Sequence, residues 1–227
     1  MSQTFMANSP IHPLLDALGA NWKKLGQASI AVHFGAPKDE AKAALSLGIC
    51  DVSALVKLGI KGPLAKSWLQ DCGVDVPAAI FETRRQSDHG LIVQTHSDEF
   101  VIESGIRDEC IRNIMVRLET GPCGVYPIER QEATFLLSGS HTHEVLAQIC
   151  GFNFREAKPR KLIYTRVAKI SCAVMSEIIQ DIPVHRIWVD HSLAIYLWQI
   201  LTEIAGNIGG QVVGATCFYP ELEKVEF

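Results

Sequence analysis

The chain lacks most of the features that would assign it quickly. It has no basic excess: 21 Lys and Arg stand against 25 Asp and Glu, a formal net charge of −4. Nucleic-acid binding as a main role is therefore not expected, because neutralising phosphates needs a surplus of cations. It has no long apolar run. The greasiest stretch, Leu193 to Leu201, is interrupted by Gln199 and is too short to span ~30 Å of hydrocarbon. No membrane role is expected. The start, MSQTFMANSPIHPLL, has no basic segment leading into an apolar one, so no secretory leader is expected. No two of the seven cysteines (50, 72, 110, 123, 150, 172 and 217) have CxxC spacing. Reduced, buried thiols in a cytoplasmic chain are expected rather than a disulfide framework or a zinc ribbon. There is no Gly-x-Ser-x-Gly elbow. Gly206-Asn207-Ile208-Gly209-Gly210 follows a helix with the wrong spacing for a dinucleotide loop.

What is present is a globular composition. Of 227 residues, 48% are hydrophobic and 20% charged, enough to bury a sizeable core. One domain is expected across 1–227, with a helical amino-terminal arm over 1–47. Residues 13 to 24 read as a short helix with Pro13 near its start. Lys38 to Leu47 reads as a second, with Ala41, Ala44 and Leu45 at helical spacing. Val52 to Val56 and Leu58 to Ile60 read as strand, ended by Gly62-Pro63. Leu64 to Cys72 reads as a helix with Ala65, Trp68, Leu69 and Cys72 on one face, stopped by Gly73.

An internal repeat organises the rest. KLGIKGPLAKSWLQDCG (57–73) aligns with TFLLSGSHTHEVLAQICG (134–151), placing Gly62 on Gly139 at an offset of 77 residues. After the first copy come two expected strands, Gly90 to Thr95 and Glu99 to Glu103, and a helix, Ile106 to Leu118. After the second come Ser171 to Ile179, His185 to Val189 and a helix, Ser192 to Ala205. Each half reads β-α-β-β-α, giving an α+β fold of two pseudo-duplicated units, 48–120 and 130–205.

The 192–205 helix is apolar on nearly all sides. Leu193, Leu197, Ile200, Leu201 and Ile204 make an expected core stripe, while Ala194, Tyr196, Trp198 and Ala205 make a second face. Such a helix is either central to the chain or offers a face to a partner. His141 and His143, two apart, point to different faces of a helix and read as exposed rather than as a metal pair. No metal site is expected. Asp190-His191 reads as a helix start, with Asp190 or Ser192 as cap. The run Lys158-Pro159-Arg160-Lys161 reads as a solvated loop or an electrostatic contact.

Residues 47 to 70, LGICDVSALVKLGIKGPLAKSWLQ, place Gly48 before Asp51-Val52-Ser53 and Gly62-Pro63 before Ala65 and Leu69. This stretch resembles the G-x-x-D-V-S … G-P-x-A-x-x-x-L pattern of the glycine-cleavage T-protein (aminomethyltransferase) superfamily. LLDALGANWKK (14–24) is weakly similar to the amino-terminal helix of T-proteins. ATFLLSGSHTHEVLAQICGFNF (133–154) resembles their central strand–turn–helix. RIWVDHSLAIYLWQIL (186–201) is similar to the gamma subunit of heterotetrameric sarcosine oxidase, a short member. The resemblance implies a folate-binding-type domain, one-carbon transfer to tetrahydrofolate, and candidate folate-pocket positions Asp51, Ser53 and Ser104.

Departures from the pattern shape the functional expectation. T-proteins carry an Asp-Asp pair just before a Leu-Ile-Val strand. Here that register places His89 and Gly90 before Leu91-Ile92-Val93, and Asp88 lies one residue too early. A glycine does no acid–base work and a displaced carboxylate loses its geometry. Asp88 and His89 are the catalytic candidates. Ser104-Gly105 stands where the family has Asn-Ala, and residues 206 to 227 are too few for the family's carboxy-terminal barrel. The resemblance therefore implies a non-catalytic subunit beside a larger flavoprotein chain, or a homo-oligomer through the 192–205 helix. The alternatives are a stand-alone folate-dependent aminomethyl- or methyltransferase, and a folate-binding protein without chemistry.

Overall fold

The structure is a computed structural model, and residues 8–224 are described. In chain order it runs α1 (His12–Ala17), β1 (Asn21–Leu25), β2 (Ala28–His33), α2 (Pro37–Ser46), β3 (Gly48–Asp51), β4 (Lys57–Lys61) and α3 (Ala65–Asp71). Then come β5 (Thr83–Arg85), β6 (Leu91–His96), β7 (Glu99–Glu103), α4 (Glu109–Leu118), β8 (Tyr126–Glu129), β9 (Glu132–Ser138) and α5 (Thr142–Ile149). The last elements are β10 (Leu162–Val167), β11 (Ile170–Ile179), β12 (Ile182–Asp190), α6 (Ala194–Asn207) and β13 (Gln211–Val212). This is the mixed α and β content expected.

The chain forms two compact units. The first, Leu55–Gln131 with Arg160–Leu162, holds a five-stranded sheet in the order β5-β6-β7-β4-β8. All its pairings are antiparallel. Its core joins Leu58, Ile60, Ile92, Phe100 and Ile102 of the sheet to Ala65 and Leu69 of α3 and Ile111 and Ile114 of α4. The second unit, described over 8–54, 132–159 and 163–224, holds a six-stranded sheet, β10-β11-β12-β9-β3-β13. Its core joins Phe135, Leu137, Val174, Ile187 and Val189 to Val145 and Leu146 of α5 and Leu197, Trp198 and Leu201 of α6. In each unit the strand leading into the aligned helix, β4 before α3 and β9 before α5, pairs with the last strand of the following meander, β7 and β12.

The aligned glycines behave alike. Gly62 and Gly139 both have positive φ, +134° and +98°. A Cβ would run into the carbonyl oxygen of Gly124 at the first and of Ser46 at the second. Each strand-to-helix turn therefore needs a residue without a side chain.

Several expectations are corrected. The arm over 1–47 is not wholly helical, and the helix expected over 13–24 ends at Ala17. Ala20 N–H donates to Leu15 O and Gly19 N–H to Asp16 O, a Schellman stop. The chain then turns into a β1–β2 hairpin. Residues 52–56 are not strand: β3 stops at Asp51, whose side chain accepts from Ser53 N–H and bends the backbone out of the ladder. The helix expected from Ile106 starts at Glu109, after Asp108 in the left-handed region. In α6 the buried face is Ala194, Leu197, Trp198, Leu201 and Ala205. Leu193 is exposed, and Ile200 and Ile204 are half-buried at the core margin.

Candidate functional site

The five residues singled out from the sequence fall in both units. Asp51 and Ser53 belong to the second; Asp88, His89 and Ser104 belong to the first.

Asp51 ends β3 and is buried. Its Oδ1 accepts from the Ser53 backbone N–H at 3.0 Å and from the Ser53 hydroxyl. Ser53 Oγ in turn accepts from Thr134 N–H at 3.0 Å, and Val52 N–H donates to Thr134 O at 2.9 Å. The Asp-Val-Ser motif is thus a turn that fastens the end of β3 to β9. Ser104 does the same work in the first unit. It is buried, its Oγ accepts from Val56 N–H at 2.9 Å, and its own N–H donates to Val56 O at 2.8 Å.

Asp88 is half-buried in the loop between β5 and β6. Its Oδ1 accepts from Gly90 N–H at 2.9 Å and its Oδ2 from Cys110 N–H at 2.9 Å. Cys110 is the second residue of α4, so the carboxylate crosses 22 residues of chain to cap a helix start whose own first-turn amides lack intrahelical partners. No side chain caps that helix from Asp108. His89 is exposed at φ +65°. Its carbonyl accepts from Arg85 Nη1 at 2.9 Å.

The sequence reading overlooked three buried charge sites. In the first unit Lys57 Nζ lies 3.5 Å from Glu103 Oε2 and donates to Leu55 O at 3.0 Å. In the second, Arg186 Nε donates to Glu177 Oε1 at 2.7 Å and Nη2 to the Tyr219 hydroxyl at 3.0 Å. Glu40 Oε1 accepts from Phe34 and Gly35 N–H, both at 2.8 Å, and its Oε2 from Gly214 N–H at 2.6 Å. The available signal was a charged residue at an inward position of a strand, as at Lys57 and Arg186.

His141 pairs with Glu144, Nδ1 to Oε1 at 2.8 Å, and is exposed. Asp190 caps the turn at His191–Leu193, accepting from Ser192 N–H, and these bonds from Ser192 hold its carboxyl below the usual range. Burial raises the thiols of Cys50, Cys110, Cys172 and Cys217, Cys172 up to about 12. All seven cysteines are free. Among the described residues no group of three or more His, Cys, Asp or Glu is placed to hold a metal ion. Among them, too, no helix is long and apolar enough to cross a membrane.

In the second unit an open groove of about 430 Å³ runs between the end of α5, the β10–β11 turn and α6. Ile149, Cys150, Lys169, Tyr196 and Ile200 are among its lining residues.

Solved structures with this arrangement of elements exist. Glycine cleavage system aminomethyltransferase T from Bartonella henselae superposes with a TM-score of 0.74 at 15% identity, over 92% of this chain. The chain has the fold of the T protein. It spans 60% of that protein's length. A chain of heterotetrameric sarcosine oxidase from Corynebacterium sp. U-96 superposes with a TM-score of 0.62 at 17% identity, over 89% of this chain and 96% of that one. No family model and no curated protein sequence matches.

Proposed function

We propose that this chain is a non-catalytic T-protein-like subunit. It would resemble sarcosine oxidase gamma and assemble with a larger flavin- and folate-carrying oxidoreductase chain in one-carbon or methylated-amine metabolism. Its work would be to complete that complex and shape its folate side, in the cytoplasm. The observation that carries the reading is the engagement of Asp88. Both carboxylate oxygens accept backbone N–H groups, from Gly90 and Cys110, and the next positions are an exposed histidine and a glycine. A group that acts on substrate must reach it; this one holds a helix. The near-complete overlap with a sarcosine oxidase chain supports the same reading.

The similar strand orders of the two sheets support descent from one duplicated β-α-β-β-α unit. Tetrahydrofolate is the ligand class the fold suggests. Asp88 does not fit it as a direct ligand, because both its oxygens accept backbone N–H groups, and Asp51 Oδ1, Ser53 Oγ and Ser104 Oγ already bond backbone amides or a neighbouring hydroxyl. No catalytic step is therefore assigned to them.

The test is calorimetric titration of the folded chain with tetrahydrofolate under reducing conditions, alongside a methylene-transfer assay. The expected result is no transfer by the chain alone. Transfer by the chain alone overturns the reading. It would favour a stand-alone aminomethyltransferase, which the T-protein likeness supports as second choice. Stoichiometric binding without transfer, surviving Asp88→Ala, would mark a folate-binding protein without chemistry.

A further inference from the structure

We draw no further inference here: the strongest candidate, the open groove of the second unit between the end of α5, the β10–β11 turn and α6, carries none, because Lys169 is its one charged lining residue and nothing in the structure shows what covers its apolar wall.

Discussion

In the first unit the buried cation is a lysine, Lys57, 3.5 Å from Glu103; in the second it is an arginine, Arg186, 2.7 Å from Glu177. Lys57 and Glu103 are direct cross-strand partners, so their pair ties two neighbouring strands that already share a ladder. Arg186 reaches further. Its fork also meets Tyr219, in a stretch where Phe218, Tyr219 and Leu222 are buried. A compact ammonium suits the local task, and a planar guanidinium with several donors suits the bridge from sheet to carboxy-terminal segment. The two sheets match over four strands, β5-β6-β7-β4 and β10-β11-β12-β9, and the units differ in what their buried charge holds.

Breaking the arginine is the harshest way to test that contrast. Arg186→Ala removes the buried guanidinium from Glu177 and Tyr219, and should lower stability by about 3–5 kcal/mol. Lys57→Met should lose roughly half as much, since the pair is longer and joins strands that already share a ladder. Urea unfolding separates the two, because Trp68 reports on the first unit and Trp22, Trp188 and Trp198 on the second. Equal losses would remove the distinction.

Acid sharpens the comparison next. His185, in the second unit, is driven down to about 4, first by burial and then by His143. Its Nδ1 lies 3.0 Å from Ser176 Oγ and its ring packs edge-on to Phe154. A histidine depressed in the fold is neutral there and charges more readily when unfolded. Stability is therefore complete above about pH 6.5 and falls as pH drops towards 4, by on the order of 2–3 kcal/mol. The tryptophans of the second unit should record the loss, and His185→Gln should flatten it.

The glycine turns give the smallest contrast, since both units need them alike. Gly62→Ala and Gly139→Ala should each cost about 1–3 kcal/mol, with matching falls in melting temperature. A large difference between them would mean the turns are not equivalent.

Those turns were also the most legible part of the sequence. Gly-Pro at 62–63 and Gly139 each announced a strand-to-helix corner, α2 and α3 followed from helical spacing, and β6 and β7 from their place after the first copy of the repeat. Short or interrupted elements were hidden. β5 and β13 have too few residues to show a period, and the β1–β2 hairpin follows a helix stop at Gly19 that twelve helix-like residues concealed. The phase of α6 was unreadable because apolar residues surround it; packing, not pattern, chose Ala194, Trp198 and Ala205 for the core. Asp88 was legible as a displaced carboxylate. Its task was not, because its second partner, Cys110 N–H, lies on a helix 22 residues away. The serines of the candidate pocket were ambiguous for a related reason. A buried hydroxyl reads the same in sequence whether it meets a ligand or, like Ser53 and Ser104, a backbone amide.

The most direct test of the account is methylene transfer to tetrahydrofolate by wild-type chain and by Asp88→Ala, at temperatures where both are folded. If Asp88 holds α4 rather than a substrate, neither protein turns over and the variant simply melts earlier, by the equivalent of about 1–2 kcal/mol for a lost helix cap. Turnover by the wild type that vanishes in a folded Asp88→Ala would contradict it and make that carboxylate a catalytic group.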